Sequence, residues 1–111
     1  MRALVLAGMC VLAAPALAAE RDERTQWVYE GGWFAPSGDG KWSEMNADAF
    51  EKNKGKPFEF KEVKRTPEYV ELRSDARDLS VRLTETTMEF KPDDAIAWRV
   101  LQKGRWKKAN E

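Results

Sequence analysis

The chain has no histidine and only one cysteine, Cys10, among its 111 residues. Without histidine it lacks the Ser-His and Cys-His pairs of common nucleophilic hydrolases, and also most ligand sets of zinc sites. It has no phosphate-binding loop and no dinucleotide-binding glycine motif either. These absences exclude most enzyme classes, and we expect a protein without catalytic residues, metal or cofactor.

An excess of charge of either sign is also missing. The chain has 19 Lys and Arg residues against 19 Asp and Glu residues, which gives a formal net charge of zero. Nucleic acids and anionic membranes attract proteins that carry clustered positive charge. We therefore expect no nucleic-acid partner, and contact with a membrane only during export.

The one long apolar run lies at the N-terminus, where Arg2 precedes residues 3–14. Ala16-Leu17-Ala18 follows with the small residues that a signal peptidase recognises, so we interpret residues 1–18 as a cleaved secretory signal peptide. The mature protein would then act in the periplasm or outside the cell, without a disulfide, because Cys10 leaves with the signal. We expect residues 19–26 to be a disordered lead-in and residues 27–111 to be a single β domain.

Aliphatic residues are scarce after residue 18, so the core has to be largely aromatic. Five Trp and two Tyr residues are available, and each buries roughly 150–250 Å² when packed. Alternation of apolar and polar residues with a period of two dominates the chain. The sequence predicts an all-β fold, a small antiparallel meander of about seven strands that forms either a closed barrel or a two-sheet sandwich.

The clearest predicted hairpin joins residues 69–74 to residues 79–84. If Ser74 pairs with Leu79, the register places Leu72 opposite Val81 and Val70 opposite Leu83 on the inner face. The same register places Glu71 opposite Arg82 on the outer face, where opposite charges stabilise the pairing. We expect the four apolar residues to be structural.

The motif Gly-X-Trp occurs three times, as Gly31-Gly32-Trp33, Gly40-Lys41-Trp42 and Gly104-Arg105-Trp106. We expect Gly31-Gly32 to kink or bulge a first strand and residues 35–40 to form a loop. If the resulting hairpin pairs Phe34 with Lys41, then Trp33 lies opposite Trp42.

Residues 93–103 have two interpretations. Asp93 and Gly104 have the residue types that begin and end a helix. Alternatively, residues 97–101 and 105–108 form a hairpin that places Trp98 opposite Trp106. We prefer strands, because each end of the domain would then contain a hairpin with a Gly-X-Trp motif and a second Trp upstream. In this interpretation Trp33 and Trp98 have structural roles.

Gly-X-Trp resembles the opening strand signature of lipocalin-type barrels and of small periplasmic protease-inhibitor barrels. The resemblance covers three residues at a time. The chain is also shorter than a lipocalin, lacks the disulfide common in those inhibitors and repeats the motif. The resemblance therefore assigns no family.

Tryptophan and arginine are frequent at binding hot spots, so the candidate binding residues are Lys41 with Trp42 and Arg105 with Trp106. The leading hypothesis is an exported, non-enzymatic domain that recognises a protein partner, with inhibition of a hydrolase as one form of that role. The alternative is a carbohydrate-binding module that uses exposed Trp faces. A carboxylate-dependent hydrolase is the least favoured reading, and the acids nearest the Trp clusters are Glu30, Glu44, Asp93 and Asp94.

Overall fold

In the computed structural model, which describes residues 24–108, eight antiparallel strands close into a barrel. Its elements, in chain order, are β1 Trp27–Tyr29, β2 Gly32–Gly38, β3 Lys41–Asn46, α1 Ala47–Lys52, β4 Phe58–Arg65, β5 Val70–Ser74, β6 Leu79–Leu83, β7 Thr87–Pro92 and β8 Arg99–Trp106. The predicted signal peptide and the first part of the predicted lead-in lie outside the described residues. Within 24–108, no helix is long and apolar enough to cross a bilayer.

Each strand pairs with the next along the chain, and β8 pairs with β1. The predicted all-β meander is therefore confirmed in its closed-barrel form. Closure pairs the first and last strands with each other, so neither remains as an open edge of the sheet.

The β5–β6 hairpin has the predicted register. Leu72 pairs with Val81 and Val70 with Leu83, all four are buried, and the Glu71–Arg82 pair lies on the outer face. The Nε of Arg82 lies 3.1 Å from Oε1 of Glu71. The alternation of apolar and polar residues, together with a four-residue turn, was sufficient to predict this register.

The expected kink at Gly31-Gly32 is a turn instead. Glu30 and Gly31 connect two strands, Tyr29 pairs with Gly32, and Gly31 has a φ of +99°. Only glycine adopts that backbone conformation without strain. Because of this turn the barrel has eight strands rather than about seven.

The predicted pairing of Phe34 with Lys41, and hence of Trp33 with Trp42, is wrong. Phe34 pairs with Glu44, and Pro36 pairs with Trp42, since β2 continues to Gly38. Beyond Phe34, β1 no longer pairs with β2. Proline has no N–H group, and it is tolerated at Pro36 because that side of β2 has no ladder hydrogen bond to lose.

The preference for strand over helix is confirmed at Arg99–Trp106, but the predicted hairpin between residues 97–101 and 105–108 is wrong. Strand β8 runs without a turn through Gly104, and Trp106 pairs with Trp27 on β1, not with Trp98. Gly104 is needed for space, because a Cβ atom there would overlap the carbonyl oxygen of Val28 and the indole ring of Trp27.

Aromatic rings fill one end of the barrel interior. Trp27, Phe34 and Trp42 are almost fully buried among the aliphatic residues of β5 and β6. The rings of Trp42 and Trp106 meet edge to face with centroids 6.2 Å apart. The indole N–H of Trp27 donates to the carbonyl oxygen of Thr84 at 2.7 Å, so this buried polar group is satisfied.

Candidate functional site

A cavity of about 400 Å³ opens at the other end of the barrel, where β3 ends and α1 begins. We call this the open end. Six apolar side chains contributed by β4, β6 and β7 line the cavity: Phe58, Phe60, Leu79, Val81, Met88 and Phe90. The volume lies within the range of about 300–1,000 Å³ that is typical of small-molecule sites.

Glu44 is the buried acid of this cavity. Alternation along β3 directs Trp42, Glu44 and Asn46 to the same face of the strand. Only 7% of the Glu44 side chain is exposed. A carboxylate buried to this extent loses its hydration, so it has to be compensated by hydrogen bonds or by a nearby cation.

One oxygen of Glu44 has that compensation. Oε2 accepts a hydrogen bond from the hydroxyl of Tyr29 at 2.6 Å and another from Nδ2 of Asn46 at 3.0 Å. The side-chain oxygen of Asn46 also accepts from the backbone N–H of Ala49, which caps the N-terminus of α1. Asn46 therefore joins the start of the helix to the buried carboxylate.

The other oxygen, Oε1, has no hydrogen-bond donor within range among residues 24–108. Its nearest cationic neighbour is Nη2 of Arg77, 4.0 Å away, which is beyond hydrogen-bonding distance. The guanidinium of Arg77 lies over the ring of Phe58, 3.9 Å from its centroid, and 5.2 Å from the centroid of Phe60. A hydrogen-bond acceptor thus lies beside two aromatic faces at the entrance to an apolar cavity.

Burial is the main influence on the titration of these groups. Desolvation raises the pKa of Glu44, although the hydrogen bond from Tyr29 and the charge of Arg77 act in the opposite direction. Burial and the hydrogen bond to Glu44 also raise the pKa of Tyr29, so its hydroxyl stays protonated and donates. Desolvation lowers the pKa of Arg77, while the carboxylate of Glu44 raises it.

The rim of the open end is mixed in character. Asp48 and Lys52 from α1 line the cavity together with Leu101 from β8. Four of the large apolar residues with high exposure belong to α1, to the β7–β8 connection or to the start of β8: Phe50, Ile96, Val100 and Leu101. No cluster of three or more metal-ligating side chains occurs in the described part of the chain.

The candidate binding residues from the sequence do not lie together on a surface. Trp42 is only 1% exposed, so its indole face is inside the barrel. Trp106 is half-buried against the same core, whereas Lys41 and Arg105 are exposed. An indole has to be exposed to bind a ligand on its face, and the indole of Trp42 is not exposed.

Of the residues expected to be structural, the four aliphatic ones are in the core, and Trp33 and Trp98 are half-buried. The indole of Trp98 packs against the guanidinium of Arg82, 4.1 Å from the ring centroid.

Sequence reasoning missed the group formed by Tyr29, Asn46 and Arg77 around Glu44. A usable signal was present, because Trp42-Ser43-Glu44-Met45-Asn46 alternates in a way that directs two polar side chains inward beside a buried Trp.

No family model, no curated protein and no solved structure matches the chain. The function is therefore inferred from the geometry of the open end.

Proposed function

We propose that this domain is a non-enzymatic binding protein that takes a small molecule with an apolar body and a hydrogen-bond-donating head into the cavity at the open end. The observation that carries the proposal is the unsatisfied Oε1 of Glu44 beside an apolar cavity. A buried acceptor without a donor costs about 1–3 kcal/mol, and a ligand that supplies the donor recovers that cost. The expectation of export and of action outside the cytoplasm is part of the proposal.

The shape of the interior supports this role. The aromatic end of the barrel is filled, and the apolar cavity lies at the open end. Small-molecule sites are commonly of this kind, mostly apolar with a few polar groups that fix the orientation of the ligand.

The test uses the neutral fluorescent dye N-phenyl-1-naphthylamine, whose emission rises in apolar surroundings and which carries one N–H donor. We expect saturable binding to the wild-type domain and loss of binding in Val81→Phe, because Val81 lines the cavity and the larger ring would occupy it. Val63→Phe is the matched control, since Val63 is exposed outside the cavity. Equal binding by both variants, or no binding by the wild type, contradicts the proposal.

Recognition of a partner protein is the second candidate, and the exposed apolar residues at the open end favour it. Ile96 is fully exposed and Phe50 is 68% exposed, and large apolar side chains that are exposed together as one patch mark interaction sites. A pull-down from envelope and culture fractions should retain a protein on the wild-type domain and lose it with Ile96→Asp. A protein retained equally by both, or none at all, argues against this candidate.

The glycan alternative requires an exposed indole face. Trp27 and Trp42 are buried, and Trp33, Trp98 and Trp106 are half-buried. It remains a proposal that no observation at the open end favours.

A further inference from the structure

The cavity entrance already holds a cation, the guanidinium of Arg77. This group lies against two aromatic rings and 4.0 Å from the unsatisfied oxygen of Glu44. A carboxylate combined with aromatic faces is an arrangement that attracts organic cations. Arg77 therefore occupies the position that the surrounding chemistry prepares for a positively charged head group.

The contacts that hold Arg77 there are weak. Within the described residues its guanidinium makes no hydrogen bond, and its side chain is 35% exposed. It projects from the β5–β6 turn, residues 75–78, rather than from the body of a strand. Its closest contact is with the ring of Phe58, and an ammonium that replaces Arg77 makes the same cation–π contact in return.

We propose that the ligand of the cavity is a primary or secondary ammonium with an apolar body, whose head replaces the Arg77 guanidinium beside Glu44. The proposal rests on the proposed function and names the chemical class of its ligand. The ammonium donates a hydrogen bond to Oε1 and lies against the ring of Phe58, while the apolar body packs on Val81, Met88 and Phe90 deeper in the cavity. Arg77 swings outward into solvent.

The buried carboxylate and the aromatic faces favour a cation over an anion. Glu44 and Asp48 line the cavity together with Lys52 and Arg77, so the preference comes from the unsatisfied oxygen of Glu44 and the ring of Phe58, and not from an excess of negative charge. If Arg77 leaves when the ammonium arrives, the net charge around Glu44 is unchanged. The cation that arrives also makes the hydrogen bond that Arg77 does not make, which is the source of the preference.

The experiment compares three ligands with the same tail, octylammonium, octanol and octanoate, as competitors of N-phenyl-1-naphthylamine at fixed ionic strength. We expect octylammonium to bind at least tenfold more tightly than octanol, and octanoate to bind most weakly. Glu44→Gln should remove the preference for the cation. Arg77→Met should bind octylammonium more tightly than the wild type, because the internal competitor is gone. The control Lys64→Met removes an exposed positive charge near the far end of β4 and should leave all three affinities unchanged.

The possible outcomes separate the two proposals. If the dye binds and the three head groups compete equally, the cation inference is overturned while the proposed function stands. If octanoate binds most tightly and loses its affinity in Arg77→Met, the site recognises anions and the inference is again overturned. If the dye does not bind either, both proposals fail. If circular dichroism shows that Glu44→Gln does not fold, two other results test the cation inference. These are the order of the three affinities on the wild type and the change in octylammonium affinity in Arg77→Met.

Discussion

Tyr29 lies between two glycines on the neighbouring strands, and both glycines leave space for aromatic rings. Its register partners are Gly32 on β2 and Gly104 on β8. A Cβ atom at Gly32 would overlap the Tyr29 ring, and one at Gly104 would overlap the ring of Trp27. The position of the hydroxyl that donates to Glu44 therefore depends on the absence of a side chain at Gly32.

Gly104→Ala should lower the free energy of unfolding by about 1–3 kcal/mol, the usual cost of overpacking a filled interior. The overlap involves the backbone of β1 and a fully buried indole, and neither moves without disturbing the barrel. Urea denaturation measures the change. Lys103→Ala, at the exposed neighbouring position of β8, is the control and should shift stability by less than about 0.5 kcal/mol. Similar losses from both substitutions would refute the packing argument.

The Gly-X-Trp motif shows what a single sequence reveals at this scale. Gly31 and Gly40 both have positive φ values and lie in turns, a conformation that glycine favours, but only the turn at Gly40 was predicted. Gly104 has a packing role, which depends on Trp27, a residue far away in the sequence. Sequence alone gives no reason to treat the third copy differently, so it was interpreted as a turn.

Among whole elements, prediction succeeded where a short turn and an alternating pattern agreed. The β5–β6 hairpin has both, and its register was predicted pair by pair. Strand β1 has only three residues and is followed by the turn Glu30-Gly31, which is not one of the strong two-residue hairpin signals. Strand β8 pairs with β7 at one end and with β1 at the other, and that division depends on barrel closure rather than on local pattern.

Arg73 on β5 links several elements beside the open end. Its guanidinium donates two hydrogen bonds to the carboxylate of Asp93, after β7, and Nε donates to Asp75 at 3.1 Å. Lys61 on β4 lies 3.1 Å from the same Asp75. Hydrogen bonds from Arg73 hold the pKa of both carboxyl groups below their ordinary value of 3.8. The network connects β4, β5 and the connection that leads to β8.

The lowered pKa of Asp93 predicts a dependence of stability on pH. Because the unfolded chain binds the proton more readily than the folded one, the contribution is present above pH 3.8 and is lost as the pH falls through the folded pKa. Asp93→Asn should be less stable than the wild type at pH 7, and the difference should disappear in strong acid. Thermal unfolding at pH 7 and pH 2 measures both differences.

Asp94→Asn removes the same charge from the next, exposed position and is the matched control. Added salt should reduce the effect of Asp93→Asn at pH 7, because the Asp93 side chain is 50% exposed and its ion pair is screened. A deficit that is the same at both pH values would show that the hydrogen-bonded ion pair is not its cause.

For the whole molecule, the main feature is the difference between a filled end and an open end. Composition predicted an aromatic core, and that core occupies the end with Trp27, Phe34 and Trp42. The sequence did not predict a cavity, because an empty volume arises from the number of strands, their register and the sizes of side chains on strands that meet only after closure. The inward direction of Glu44 was accessible from the alternation in β3, but its neighbours Tyr29 and Arg77 come from distant segments.

Two valines allow the difference between the ends to be measured. Val70 and Val81 are both buried and point inward on neighbouring strands, but only Val81 lines the cavity. Val81→Phe should raise the free energy of unfolding by roughly 0.5–2 kcal/mol, because the added ring fills empty apolar space. Val70→Phe should lower it by about 1–3 kcal/mol, because the filled end has no room for the ring.

Urea unfolding of the two variants, together with dye binding, makes the comparison complete. If the cavity is a ligand site, Val81→Phe should raise the free energy of unfolding and at the same time abolish dye binding. An empty cavity lowers stability, and binding sites commonly trade stability for function in this way. Destabilisation of similar size in both variants would mean that the open end is as tightly packed as the other. In that case there would be no space for the ligand that we propose as a hydrogen-bond donor to Oε1 of Glu44.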